Sequence, residues 1–458
     1  MRGPKPHRLW TENDLRHHKA RVCVLVLTAA LPVFGQYGGF GGPSILSRNG
    51  GPSGRTGSNP VGFSVFAGAA GTYTTNLNQV ADSTVGPSVY FRDRLGVSAS
   101  AGVQGYKTGV RSATSVDLNV VYSWTRSKDV SRGLSESLAF THSRQISRRV
   151  MWFFGANGQS TNRSLIFSNE RFSPEPIPDL PSPQEEVFDT RTYLGNIGTG
   201  FTFQKSARLA FAVQGGAFGM ERRSRSLVDS RGFSGGGSVQ YSLSRRQTIG
   251  ATFTYGTFYF PGRYGETQYY SPQGVYGLAI SKVWTLSLGA GFYHAHTDRL
   301  VSVPVDPFIA QLTGQRSALE IFSGDSKGFS GHISLNGNYR RWGISISGNR
   351  GIAPGNGFYL TSERTSGTLT VNRTVSRSAS VSFYAGASQL KALTQTVGNA
   401  QYYSAGSSFG YRLTSYLNFA TSVGLYRTDV AGKSLKINRF AASAGIYFSP
   451  GEIPLHIF

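Results

Sequence analysis

Between Val239 and Phe260 the side chains alternate. Val239, Tyr241 and Leu243 share one parity before the basic turn Ser244-Arg245-Arg246, with Gln240 and Ser242 on the other. After it, Ile249, Ala251, Phe253, Tyr255 and Tyr259 alternate with Thr248, Gly250, Thr252, Thr254 and Gly256. A period of two marks a strand whose two faces meet different surroundings. The segment reads as a hairpin with one large apolar face and one small polar face.

The same pattern recurs at Trp284, Leu286, Leu288, Ala290 and Phe292, at Ala379, Val381, Phe383 and Ala385, and at Leu417, Phe419 and Val423. Neither a helical spacing of apolar residues nor a fixed repeat length interrupts it. Eighteen such runs are expected, the first two at Gly62 to Thr75 and Leu95 to Tyr106, the last at Leu435 to Phe448. From the fourth run onward, links of one to three residues on one side oppose variable links on the other, the longest being Asn169 to Asp189 and Asp298 to Lys327. Short turns on one side and long loops on the other are the habit of outer-membrane barrels. The expected fold is all-β, a transmembrane antiparallel up-and-down β-barrel of 18 strands, with 16 as the alternative.

Tryptophan positions agree. Trp152, Trp284 and Trp342 each lie within three residues of a short basic turn, and Trp124 lies near the opposite end of its strand. Two aromatic girdles at the edges of a hydrocarbon band would place them so. Polar or charged residues on the outward parity near the loop ends, Arg350, Glu363 and Arg427, are expected to stand in water above that band.

The chain of 458 residues holds 58 Gly, a single Cys and a formal charge of +23. Besides an anionic membrane surface, so basic a balance first raises nucleic acid. Its distribution argues against it: the cations sit at successive turns (Arg148 and Arg149, Lys205 and Arg208, Arg245 and Arg246, Lys282, Arg340 and Arg341, Arg377) rather than on one face. Lys19 and Arg21 precede the 13-residue apolar run Val22 to Phe34, too short to span a bilayer, which reads as a secretory signal cleaved after Gly35. Cys23 would leave with it. The expected organisation is signal 1–35, a flexible Gly/Pro-rich leader 36–60, and barrel 61–458.

The leader contains Phe40 to Arg48, FGGPSILSR. With the S-R-R turns, it resembles porin-like outer-membrane β-barrel proteins of Gram-negative soil bacteria. That resemblance implies a fold and a location, and no activity. Gly445-Ile446-Tyr447-Phe448 resembles the aromatic-terminated last strand read by the barrel-assembly machinery, although the chain continues to Phe458, which could be read instead.

Candidate chemistry is sparse. His294 and His296 share a strand face, but no third ligand has matching spacing, so no metal is expected. His142 and His332 are isolated, and no G-x-S-x-G motif occurs. No cofactor or catalytic set is assigned; an outer-membrane hydrolase is the least favoured reading. By parity the inward charges are Arg222, Arg412 and Arg439 against Asp117, two of the arginines being read as near the periplasmic end. The acidic third external loop, with Glu175, Asp179, Glu185 and Glu186, is a candidate constriction. The expected function is a passive, porin-like diffusion channel for small hydrophilic solutes, with weak anion preference. The alternative is a non-conducting structural or surface-binding barrel blocked by its leader or loops. A plugged transporter of 22 strands does not fit the length. Expected partners are outer-membrane lipids, the assembly machinery and the permeating solutes, without nucleic acid; a homotrimer is compatible with this reading.

Overall fold

The computed structural model describes residues 61–83, 86–125, 133–162, 191–224, 227–261, 265–304, 317–357, 359–393, 399–430, 435–449 and 452–454. The signal and leader expectations, and Phe458, lie outside them. In chain order the strands are β1 (Val61–Ser83), β2 (Gly86–Thr108), β3 (Ser112–Thr125), β4 (Gly133–Ser147), β5 (Val150–Asn162), β6 (Arg191–Gln204), β7 (Leu209–Arg222), β8 (Ser230–Ser242), β9 (Gln247–Tyr259), β10 (Gly265–Ala279), β11 (Trp284–Pro304), β12 (Ser317–Tyr339), β13 (Trp342–Pro354), β14 (Thr361–Thr374), β15 (Ala379–Ala392), β16 (Ala400–Arg412), β17 (Leu417–Val430), β18 (Leu435–Phe448) and the short β19 (Glu452–Pro454).

From β1 to β18 each strand pairs antiparallel with the next, and β1 closes the ring against β18 from Ala67↔Phe448 to Thr74↔Ala441. β19 continues that seam at Gly62↔Pro454. The result is a closed up-and-down barrel of eighteen wall strands.

Parity assigns the two faces. Val239, Tyr241, Leu243, Ile249, Phe253, Tyr255 and Tyr259 are all exposed large apolar residues, Phe253 at 50%. A large apolar residue left open at every second position is unstable in water and matched to lipid. The barrel is therefore of the outer-membrane type. Trp124, Trp152, Trp284 and Trp342 all lie on the outward parity, the last three next to short turns. Trp152 donates from its indole Nε1 to Thr199 Oγ1 at 2.7 Å, and the Arg373 guanidinium lies 4.6 Å over the Trp342 ring.

The turn side has a recurring construction. At Ser206, Ser281, Ser376 and Thr414 the hydroxyl accepts backbone N–H groups two and three residues ahead, at 3.0–3.2 Å. Ser147 and Ser244 accept one such N–H each. Local side-chain to backbone bonds of this kind close tight turns, which accounts for the recurrent Ser before the cations. These links run from two residues, at Arg148–Arg149 and Arg340–Arg341, to four, as at 205–208, slightly longer than the one to three expected.

Two hairpins differ from expectation. β1 and β2 stay paired out to Ser83↔Gly86, with an irregularity between Thr74 and Leu77, where the sequence suggested a loop between Thr75 and Leu95. β11 and β12 likewise pair up to Pro304↔Ser317, so most of the expected loop Asp298 to Lys327 is strand. Beyond the bilayer neither face must be apolar, so alternation fades while the backbone ladder continues.

Arginine at Phe253 or Leu286, mid-strand and outward, should destabilise the barrel by about 2–4 kcal/mol, and arginine at the inward Thr252 by much less. Urea unfolding in lipid vesicles measures this; equal losses at both parities would contradict the face assignment.

Candidate functional site: the lumen and its inward hairpin

The inner wall is made of small hydroxyl side chains paired across strands. Ser115 and Thr141 meet at 2.6 Å, Ser347 and Thr368 at 2.6 Å, Ser382 and Ser408 at 2.5 Å, and Ser422 and Ser443 at 2.7 Å. Tyr384 and Tyr426 join hydroxyl to hydroxyl at 2.5 Å. The Tyr384 ring lies against its neighbours' backbones because they carry no side chain: a Cβ at Gly406 would stand 2.5 Å from it. Rings laid against the wall leave the centre free.

Near the loop end the centre is not free. β12 pairs with β13 only from Tyr339↔Trp342 to Gly331↔Arg350, whereas β13 stays paired with β14 up to Pro354↔Thr361. Above Arg350 the β13–β14 hairpin leaves β12 and bends inward. Every described residue from Ile352 to Ser362 is buried.

The hairpin is held from three directions. Toward β10 and β11, Ile352 and Leu360 join Tyr269, Tyr293, Ala295, Phe258 and Phe218 in one buried cluster, and Thr361 meets Thr267 at 2.6 Å, which in turn meets Thr297 at 3.0 Å. Glu363 is also drawn in: it accepts from Tyr293 Oη at 2.5 Å and lies 2.6 Å from Arg350, its side chain only 12% exposed. The expectation that Glu363 stands in water is thus corrected, because the bend presents its face to β11 rather than to solvent. Arg427 does remain exposed, clamped by Asp429 at 2.8 Å.

Toward β16, Asn356 Nδ2 donates to Tyr402 Oη at 2.6 Å, while its Oδ1 accepts the Tyr359 N–H at 3.2 Å. Tyr359 packs with Leu390, Ala400 and Tyr402. Toward β7 and β8, the Val228 N–H donates to the Gly357 carbonyl at 2.9 Å. Arg222 supports this side: its guanidinium donates to the Val228 carbonyl and its backbone N–H to Asp229 at 2.8 Å. Gly357 has φ of +81°, and a Cβ there would lie 2.6 Å from Arg222 Nε. The positive φ favours glycine, and a side chain there would displace the Arg222 guanidinium. Since β7 and β16 are nine strands apart in an eighteen-strand wall, residues 355–357 and 359–360 bridge the lumen from side to side.

Of the candidate charges, Arg222 and Arg439 are buried on the inner face. Both lie toward the loops, so the reading that two of the three arginines sit near the periplasmic end is corrected; Arg412 alone adjoins a short turn. Asp117 is inward on β3, opposite Gln104. Two inward cations were missed: Arg364, which parity already placed inside, and Arg299, which fell in a stretch read as loop. Glu175, Asp179, Glu185 and Glu186 lie outside the described residues. The bridging loop was missed as well, although its sequence carried a signal: Ile352 to Leu360, on the loop side, has no charged residue.

The histidines do have partners that spacing did not reveal. Asp325, across the β11–β12 ladder, lies 2.8 Å from His296 Nδ1 and 3.7 Å from His294 Nε2. Among the described residues no group of three His, Cys, Asp or Glu is arranged to hold a metal ion. Ser287 and His332 approach to 3.4 Å on the inner wall.

Neither a protein-family model nor a curated protein matches the chain. Among solved structures it is similar to Pseudomonas aeruginosa OccK2 (OpdF), at 12% identity over 84% of this chain and 98% of that one, with a TM-score of 0.40. It is similar to a BenF-like porin from Pseudomonas fluorescens Pf-5, at 12% identity over 86% and 99%, with a TM-score of 0.41. The ferric-catecholate import receptor Fiu of E. coli K12 matches at 9% identity over 84% and 81%, also with 0.41.

Replacing Gly357 by Ala should force the hairpin away from Arg222. Exchange of the Val228 amide proton, read by hydrogen–deuterium exchange, should then accelerate about tenfold or more, as for the loss of one bond and the strain of positive φ; unchanged exchange would show that the loops are not coupled.

Proposed function

We propose that the protein is a porin-type outer-membrane channel for small hydrophilic solutes, whose passage is set by the β13–β14 hairpin. The supporting observation is the hydroxyl-lined inner wall: in a barrel of this width the wall's own side chains do not fill the interior, which stays aqueous. The bridge formed by residues 355–357 and 359–360 supports the second reading, a barrel that is closed until the hairpin is displaced.

Planar-bilayer conductance tests both. Replacement of residues 355–360 by an Asn-Gly turn should enlarge the single-channel conductance of a conducting wild type. Conductance only in the shortened variant would favour the closed barrel, and none in either would reject the channel. Selectivity follows the charges facing the lumen rather than the net charge. Arg222, Arg364 and Arg439 against Asp117 should give weak anion preference in a salt-gradient reversal potential. Neutralising Glu175, Asp179, Glu185 and Glu186 together should strengthen it if the third loop reaches the lumen; strong cation selectivity of the wild type would contradict this assignment.

A further inference from the structure

The eight links on the turn side carry Arg111, Arg148, Arg149, Lys205, Arg208, Arg245, Arg246, Lys282, Arg340, Arg341 and Arg377, all exposed, and no acidic residue. Acidic side chains gather at the other end: Glu221, Asp229, Glu266, Asp298, Asp325, Glu363 and Asp429 all lie toward the loops. Net charge alone would not produce this division.

An apolar side chain accompanies the cations in most of these links. Ile146 precedes Ser147-Arg148-Arg149, Leu243 precedes Ser244-Arg245-Arg246, Ile280 precedes Ser281-Lys282 and Val375 precedes Ser376-Arg377, and all four apolar residues are exposed. The serine bonds fix the apex, so the cation stands two or three residues beyond an aliphatic group at a set height. Just above, the outward rings of Phe203, Phe211, Tyr241, Tyr339, Trp342 and Tyr411 form the aromatic row. Such a row marks the edge of the hydrocarbon. The cations then lie at head-group depth, where each is attracted to an anionic surface by about 1 kcal/mol.

We propose that this rim is a binding surface for anionic phospholipid of the inner leaflet, the cations contacting the phosphodiester head groups and the aliphatic residues the upper acyl chains. A soluble acidic partner fits less well, since it would leave the aliphatic half of each link uncovered.

The test uses the full chain refolded into phosphatidylcholine vesicles containing brominated phosphatidylglycerol or, separately, brominated phosphatidylcholine. Trp152, Trp284 and Trp342 report the turn side by fluorescence quenching, and Trp124 the loop side. At low salt, brominated phosphatidylglycerol should be enriched about fivefold or more around the turn-side tryptophans, the effect of roughly one cation per lipid, and the enrichment should vanish in molar salt. Substituting Arg148, Arg149, Arg245, Arg246, Lys282 and Arg377 by Gln should abolish it. Exchanging the five arginines for Lys should retain it, which separates charge from folding. Equal quenching by the two lipids in the wild type, or enrichment that survives the Gln substitutions, would overturn the proposal. So would capture of soluble polyaspartate by the rim without lipid enrichment. None of these readouts requires the pore to conduct.

Discussion

Hydrocarbon offers a peptide group no hydrogen-bond partner, and the whole wall follows from satisfying that condition. Eighteen strands do so only when the last pairs with the first, along the eight residue pairs from Ala67↔Phe448 to Thr74↔Ala441. Once the sheet is closed, every residue is committed to one of two faces. Lipid selects Phe253, Tyr255 and Leu286 on one; a lumen with water in it selects Thr252, Thr254 and Ser287 on the other. Glycine enters for a third reason, close approach, as where Tyr384 crosses Gly406 to reach Tyr426. Its abundance, which in isolation suggests a flexible chain, here lets large rings lie against a thin wall.

The same condition decides what was legible. Within the bilayer, alternation is enforced by both surroundings, so strand number, facing and turn positions could be read from residues such as Val239 to Tyr259. Outside it, only backbone pairing remains, and Leu77 to Ser83 or Glu320 to Lys327 carry no periodic pattern although they are as regularly paired as the wall. Parity gave Arg222, Arg439 and Asp117 a face, but the height of one arginine along its strand was misjudged, since parity carries no information about height.

The bridging hairpin defeats parity altogether. Ile352 belongs to the outward set by counting from Ile346, yet it is buried beside Tyr293. Both statements hold because β13 stops pairing with β12 at Arg350, and beyond that point its outward face meets the inner face of β10 and β11 instead of lipid. A strand rule assumes that the wall continues. The lack of charge from Ile352 to Leu360 was the clue that it does not: a loop held in water has no reason to be apolar, whereas one folded against Phe258, Tyr269 and Tyr293 must be.

If the barrel conducts, as proposed, what the bridge does to permeation depends on charge as much as width. Among the described residues the hydroxyl wall between the turns and the hairpin carries Asp117 and, at the turn end, Arg412, and an ion crossing it is screened by water and salt over roughly 8–10 Å. At the bridge the medium changes. Arg222 is 4% exposed there and bonded to the Val228 carbonyl, and water excluded by Tyr359, Leu360 and Phe258 cannot screen a neighbouring charge. The same unit charge acts more strongly in such surroundings than at the exposed Arg412. On the proposed function, selectivity would belong to the few residues around the bridge, and the many cations at the turns, which dominate the net charge, lie away from the path.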